Sequence, residues 1–154
     1  MGFDVACSGN DARFLITQEG ARLAVTYGNA HIEPAKRTNR YLDDAIDAVR
    51  YAWVLSCYRT CLARKRPTYS ISMVADADGK EVSFERLLLP FGNADAVEHI
   101  VGSYKAISIE GGFKINNLIK PETPPVSVLK AVIDLDFVRT PVARDISDDI
   151  IEID

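Results

Sequence analysis

Histidines, cysteines and acidic residues are the groups in this 154-residue chain with chemistry to offer, and their spacing is the first thing to weigh. His31 and His99 stand beside no Cys, Ser or carboxylate in a nucleophile motif. No nucleophile elbow, Walker loop, dinucleotide fingerprint, zincin helix or C-x-x-C pair occurs, and each of those needs its spacing to build its geometry. Cys57 and Cys61 lie one helical turn apart, which suits two small buried hydrophobes better than a redox pair. With Cys7 they make an odd number without knuckle spacing, so neither a disulfide framework nor a structural zinc site is expected. Asp43, Asp44 and Asp47 fall near the start of a helical pattern, where capping and solvation explain them better than a metal does. The sequence gives no positive support for an enzyme and none for a metal.

Length and charge narrow the classes further. At 47% hydrophobic content the chain fits one compact domain with its own core and a tail. A formal net charge of −4, with basic runs only at Lys36-Arg37 and Arg64-Lys65-Arg66, disfavours nucleic-acid binding. The longest apolar run is far short of a membrane span. Met1-Gly2-Phe3-Asp4 lacks the basic and apolar regions of a secretory signal, and Gly2 is followed by no myristoylation pattern. A cytoplasmic protein with no membrane contact is expected.

The elements that must carry any site follow from periodicity. Phe3–Ala6 and Arg13–Gln18 are apolar β-leaning segments around the turn formers Ser8-Gly9-Asn10-Asp11, so a hairpin is predicted. Gly20–Tyr27 suits a short helix closed by Gly28, and Asn29–Asn39, with Pro34, reads as a connector. Leu42, Ala45, Ile46, Val49, Trp53, Cys57 and Cys61 recur at steps of three and four, predicting one long helix from Tyr41 to Lys65. Thr38 or Asn39 can cap it, and Pro67 ends it.

A three-strand meander comes next. Thr68–Asp76 alternates Tyr69, Ile71, Met73 and Ala75 against Thr68, Ser70, Ser72 and Val74, and Asp76-Ala77-Asp78-Gly79 is a hairpin turn. Lys80–Leu89 sets Val82, Phe84, Arg86 and Leu88 opposite Glu81, Ser83, Glu85, Leu87 and Leu89, with Pro90 as a stop. Val97–Ile109 is the third strand. Phe113–Ile119 is a short apolar segment and Pro121–Pro125 a linker; Val126–Val138 is apolar enough for a strand or a packed arm. Asp145–Asp154 reads as a frayed acidic tail.

The run Phe84-Glu85-Arg86-Leu87-Leu88-Leu89-Pro90-Phe91-Gly92, then Ile100-Val101-Gly102 and Ile107-Ser108-Ile109-Glu110-Gly111-Gly112-Phe113, resembles an alphaproteobacterial PAS-like family with a Tyr/Phe-Glu-Arg-Leu-Leu-Leu-Pro strand. The resemblance is specific over Val82–Phe113 and looser before Tyr41. It implies an α+β fold: a five-stranded antiparallel sheet covered on one face by a long helix and a short helical connector. The expected division is a PAS-like sensory domain over 1–119 and a C-terminal arm with acidic tail over 120–154. The implied role is a sensory or regulatory module that binds a small ligand or a protein partner and signals through another protein or as a homodimer. A ligand in such a domain lies between helix and sheet, which points to Val49, Trp53 and Cys57 on the helix and Ile71, Met73, Phe84 and Tyr104 on the sheet, unless those side chains simply fill the core.

The cofactor is left unknown. Haem is not expected, because the ligating histidine of haem-binding PAS domains lies on the long helix and Tyr41–Lys65 has none. Asn10-Asp11-Ala12-Arg13-Phe14-Leu15 is similar to the signature of flavin-binding light sensors, yet their photochemistry needs a cysteine where Ala12 stands, so the match is read as coincidence. Two rival readings remain. A ketosteroid-isomerase-like enzyme would need Glu85 or Glu98 in one pocket with Tyr104, which alternation does not favour. An adaptor with an inert core would dock a partner through the tail beyond Pro141.

Overall fold

A computed structural model describes residues 1–6, 12–93, 95–120, 123 and 125–134. The elements in chain order are β1 (Gly2–Ala6), β2 (Arg13–Gln18), α1 (Ala21–Thr26), α2 (Pro34–Arg37), β3 (Arg40–Tyr41), α3 (Leu42–Ala45), α4 (Ala48–Arg64), β4 (Thr68–Ala75), β5 (Glu81–Gly92), β6 (Val97–Ile107) and β7 (Val126–Val132). The fold is α+β, with one antiparallel seven-stranded sheet in the order β3-β2-β1-β6-β5-β4-β7.

The expected hairpin and meander are both present, and β1 joins them by pairing with β6 from Gly2↔Val101 to Asp4↔His99. The sheet has seven strands rather than five because both edges acquire partners. β3 adds two residues beside β2, and β7 runs along β4 from Thr68↔Val132 to Met73↔Val126. Unpaired edge groups of β4 would otherwise face water, and the β-branched Val126, Val128 and Val132 suit a covering strand. The Ser8–Asp11 turn and the acidic tail lie outside the described residues.

The single long helix expected over Tyr41–Lys65 is divided. α3 ends where Ile46 turns extended (φ −130°, ψ 153°), and Asp47 caps α4 by accepting the Arg50 N–H at 3.0 Å. An aspartate that caps a new start offers the backbone an alternative to continuation, so the break sits there despite unbroken periodicity. At the other end Lys65 takes a left-handed conformation (φ 49°) ahead of Pro67. Strand β5 also runs past Pro90 to Gly92. Its pairing with β4 begins at Leu88, so Pro90 has only β6 beside it and its missing N–H falls on a free edge.

Two buried clusters lie on the helix-covered face. Phe3, Phe14, Ile16, Leu88 and Ile100 from the sheet meet Val54, Leu55, Tyr58 and Cys61 of α4, with the Phe3 ring set edge-on to Tyr58 at 4.9 Å. Leu23 of α1, Val74, Val82 and Phe84 meet Leu118 and Ile119. The segment after β6 is fixed there by Asn117 N–H to Val25 C=O (3.0 Å) and Ile119 N–H to Thr26 C=O (3.2 Å). Asp76 anchors the same segment to the β4–β5 turn: its carboxylate accepts the Asp78, Lys80 and Lys114 amides at 2.8, 3.0 and 2.8 Å. The Lys114 bond first, with the Lys80 and Asp78 bonds, holds that carboxyl below its ordinary 3.8 against the opposing effect of burial.

Candidate ligand-binding site

Register decides which strand residues can share a pocket. Ser72 pairs with Phe84 and Ser70 with Arg86 across β4–β5, while Phe84 pairs with Ala106 and Arg86 with Tyr104 across β5–β6. Ser70, Ser72, Phe84, Arg86 and Tyr104 therefore share the helix-covered face. Ile71 pairs with Glu85 and Met73 with Ser83, so both lie on the opposite face and are not part of a helix-side pocket, contrary to expectation. Alternation separates two faces without saying which is buried, and on β4 the more polar set turned inward.

On α4 the expected helix residues divide as well. Val49 is 50% exposed, one position into α4, because the break at Ile46–Asp47 resets the helix face. Trp53 and Cys57 do face the sheet and line a cavity of about 230 Å³ with Val54, Phe84, Arg86, Ser70 and Ser72. Tyr27 and Ile119 close one wall, and Ser127 and Lys130 of β7 another. Lys130 Nζ donates across to Ser56 Oγ (3.3 Å) in an exposed contact between β7 and α4. Three of the seven anticipated residues, Trp53, Cys57 and Phe84, thus meet around one space. Tyr104 stands behind Arg86, its hydroxyl hydrogen-bonded to that of Tyr58. Gly102 is what lets it lie there: a Cβ at that position would come within 2.5 Å of the Tyr104 hydroxyl oxygen.

Arg86 dominates the electrostatics. Its Nε is buried with no hydrogen-bond partner among the described residues. Its guanidinium carbon lies 6.0 Å from the Phe84 ring centre and 5.9 Å from that of Tyr104, contacts that favour a cation without accepting a proton in the ring plane. Burial opposes the charge, and Tyr27, Tyr104, Tyr58 and Cys57 act against that, so the guanidinium stays protonated. The Tyr58 and Tyr104 hydroxyls, raised by burial, keep their protons and supply no countercharge. Burial likewise raises the Tyr58 and Tyr104 hydroxyls and pushes the Cys61 thiol up to about 11, so these are proton-holding groups rather than nucleophiles.

Sequence reasoning set Arg86 on the same strand face as Val82, Phe84 and Leu88, a charge among apolar neighbours, and that was the available signal for it. Ser70, Ser72, Ser127 and Lys130 were missed, since serines on a strand look like a solvated face. Other chemistry-bearing residues are accounted for locally. Asp43 and Asp44 pair with Arg13 at 2.8 and 3.1 Å, and the Arg13 guanidinium stacks 3.8 Å from the Tyr41 ring centre. His99 Nδ1 meets Asp4 at 2.7 Å on the surface. No three-residue metal-binding group occurs among the described residues. Glu85 faces away from Tyr104 and Glu98 is exposed, so neither joins Tyr104 in a pocket. No helix among the described residues is long and apolar enough to cross a membrane. No family model, curated protein or solved structure matches the chain.

Proposed function

We propose that this chain is a cytoplasmic PAS-like sensory or regulatory module whose ligand enters the cavity between α4 and the β4–β5 face. The observation that carries the reading is the cavity itself: about 230 Å³ between helix and sheet, beside the half-buried Arg86, whose buried Nε has no partner among the described residues. A filled core would not hold the space. The chain order adds support, since hairpin, helical connector, helix and meander follow one another as the resemblance implies, with β3 and β7 as additions at the edges. The isomerase alternative nominated Glu85 or Glu98, and neither shares a pocket with Tyr104; the adaptor alternative rests on residues beyond 141, outside the described region.

Output passes to another protein or a second copy through segments that ligand binding repositions. Ile119 and β7 both line the cavity and both continue toward the C-terminal arm, which makes that arm the route out. Native mass spectrometry of the freshly purified chain tests the reading. It should show retained mass of a small molecule, or binding of one from a metabolite mixture; a bare polypeptide that takes up nothing would contradict it.

A further inference from the structure

We infer that the cavity takes a small organic acid with an apolar body, its carboxylate held by the Arg86 guanidinium and by the Ser70 and Ser72 hydroxyls. The inference rests on the ligand-binding reading above and specifies the class of ligand. Among the described residues Arg86 and Lys130 are the charged members of the lining, and no Asp or Glu accompanies them there. A half-buried cation whose buried Nε has no acceptor is costly, and a carboxylate is the planar acceptor that a guanidinium fork matches bidentately. A neutral occupant would leave the charge uncompensated.

Size and shape fix the rest. The volume corresponds to about eight waters' share of liquid and lies below the ~300–1,000 Å³ of drug-sized sites, which excludes nucleotides and large cofactors. Trp53, Phe84 and Ile119 supply apolar wall beside the polar groups. Inorganic phosphate would answer the charge and leave that wall bare; an aliphatic or aromatic acid answers both.

Isothermal titration of the full chain with benzoate and hexanoate, with benzamide and hexanamide, and with inorganic phosphate tests the proposal. The acids should bind roughly 10- to 100-fold more tightly than their amides, the span expected for charge-assisted hydrogen bonds, and more tightly than phosphate. Arg86→Met should lose about the same factor, and Arg86→Lys less, since it keeps charge while losing the fork. Ser72→Ala should weaken the acids about threefold, near the low end for a neutral hydrogen bond, and carries the test if Arg86→Met does not fold. Amides binding as well as acids would overturn the acid class and leave the small-ligand reading standing. Phosphate binding more tightly than the acids would overturn the apolar body. Absence of binding by every probe, with a bare mass in native spectrometry, would overturn both the proposal and the reading beneath it.

Discussion

The two ends of the covered sheet face treat the same helix differently. Toward β1 and β2, Phe3, Phe14 and Ile16 pack against Tyr58 and Cys61 of α4, all at 0–1% exposure. Toward β4 and β7, Cys57 of that helix reaches Ser70 (Sγ to Oγ 4.0 Å), while Trp53, Ser72, Arg86 and Lys130 stand around the cavity. The first end joins the N-terminal hairpin to the meander and supplies a dry core. The second keeps polar groups under cover without closing on them, which costs stability that the first end must offset. A binding function is therefore sought at the poorly packed end, and a folding function at the other.

The largest effect should come from breaking the dry end. Phe14→Ala empties a fully buried ring site and should destabilise the chain by about 3–5 kcal/mol in urea melts, while leaving any acid affinity of the folded protein within about twofold. Asp76→Asn should come next, because it weakens three amide bonds that tie the β4–β5 turn to the segment walling the cavity. Asp76 has its folded pKa below the unfolded value, so its contribution is full above about pH 4 and is lost as pH falls through the folded value. Thermal melts from pH 7 to pH 2 should show the wild-type advantage over Asp76→Asn shrinking on acidification.

Arg86→Met should move stability the other way. Replacing a half-buried cation, whose buried Nε has no partner among the described residues, by an apolar side chain of similar length should stabilise the ligand-free chain by about 1 kcal/mol, read as a higher denaturation midpoint. Stability lost to Met at this position would mean that Arg86 holds the fold together, and the two ends would no longer differ as described. Val49→Ala should do least, within about 0.5 kcal/mol, because that side chain stands half in water at the start of α4.

Much of the frame was legible before any coordinates. Alternation from Thr68 to Ile107 gave the meander and its turn at Asp76–Gly79, where Gly79 takes φ 81°. The spacing of Trp53, Cys57 and Cys61 gave the face of α4 that meets the sheet. What failed to show had physical causes. The α3–α4 break turns on one aspartate choosing a cap over a helical position, which periodicity does not register. The inward face of β4 depended on register with β5, a nonlocal fact, so Ile71 and Met73 looked apolar enough to be core while Ser70 and Ser72 took the place. β7 was an undecided apolar stretch because its partner, the free edge of β4, exists only once the sheet has assembled.

The Arg86 side-chain Nε–H resonance in a ¹H–¹⁵N spectrum reads the contrast between the two ends most directly, its assignment made by its loss in Arg86→Met. Titration with benzoate should move that resonance together with the backbone amides of Ser70 and Ser72, while the amides of Phe14 and Ile16 stay in place. Movement concentrated at Phe14 and Ile16, with Arg86 unchanged at saturating benzoate, would contradict the assignment of the polar end as the binding site.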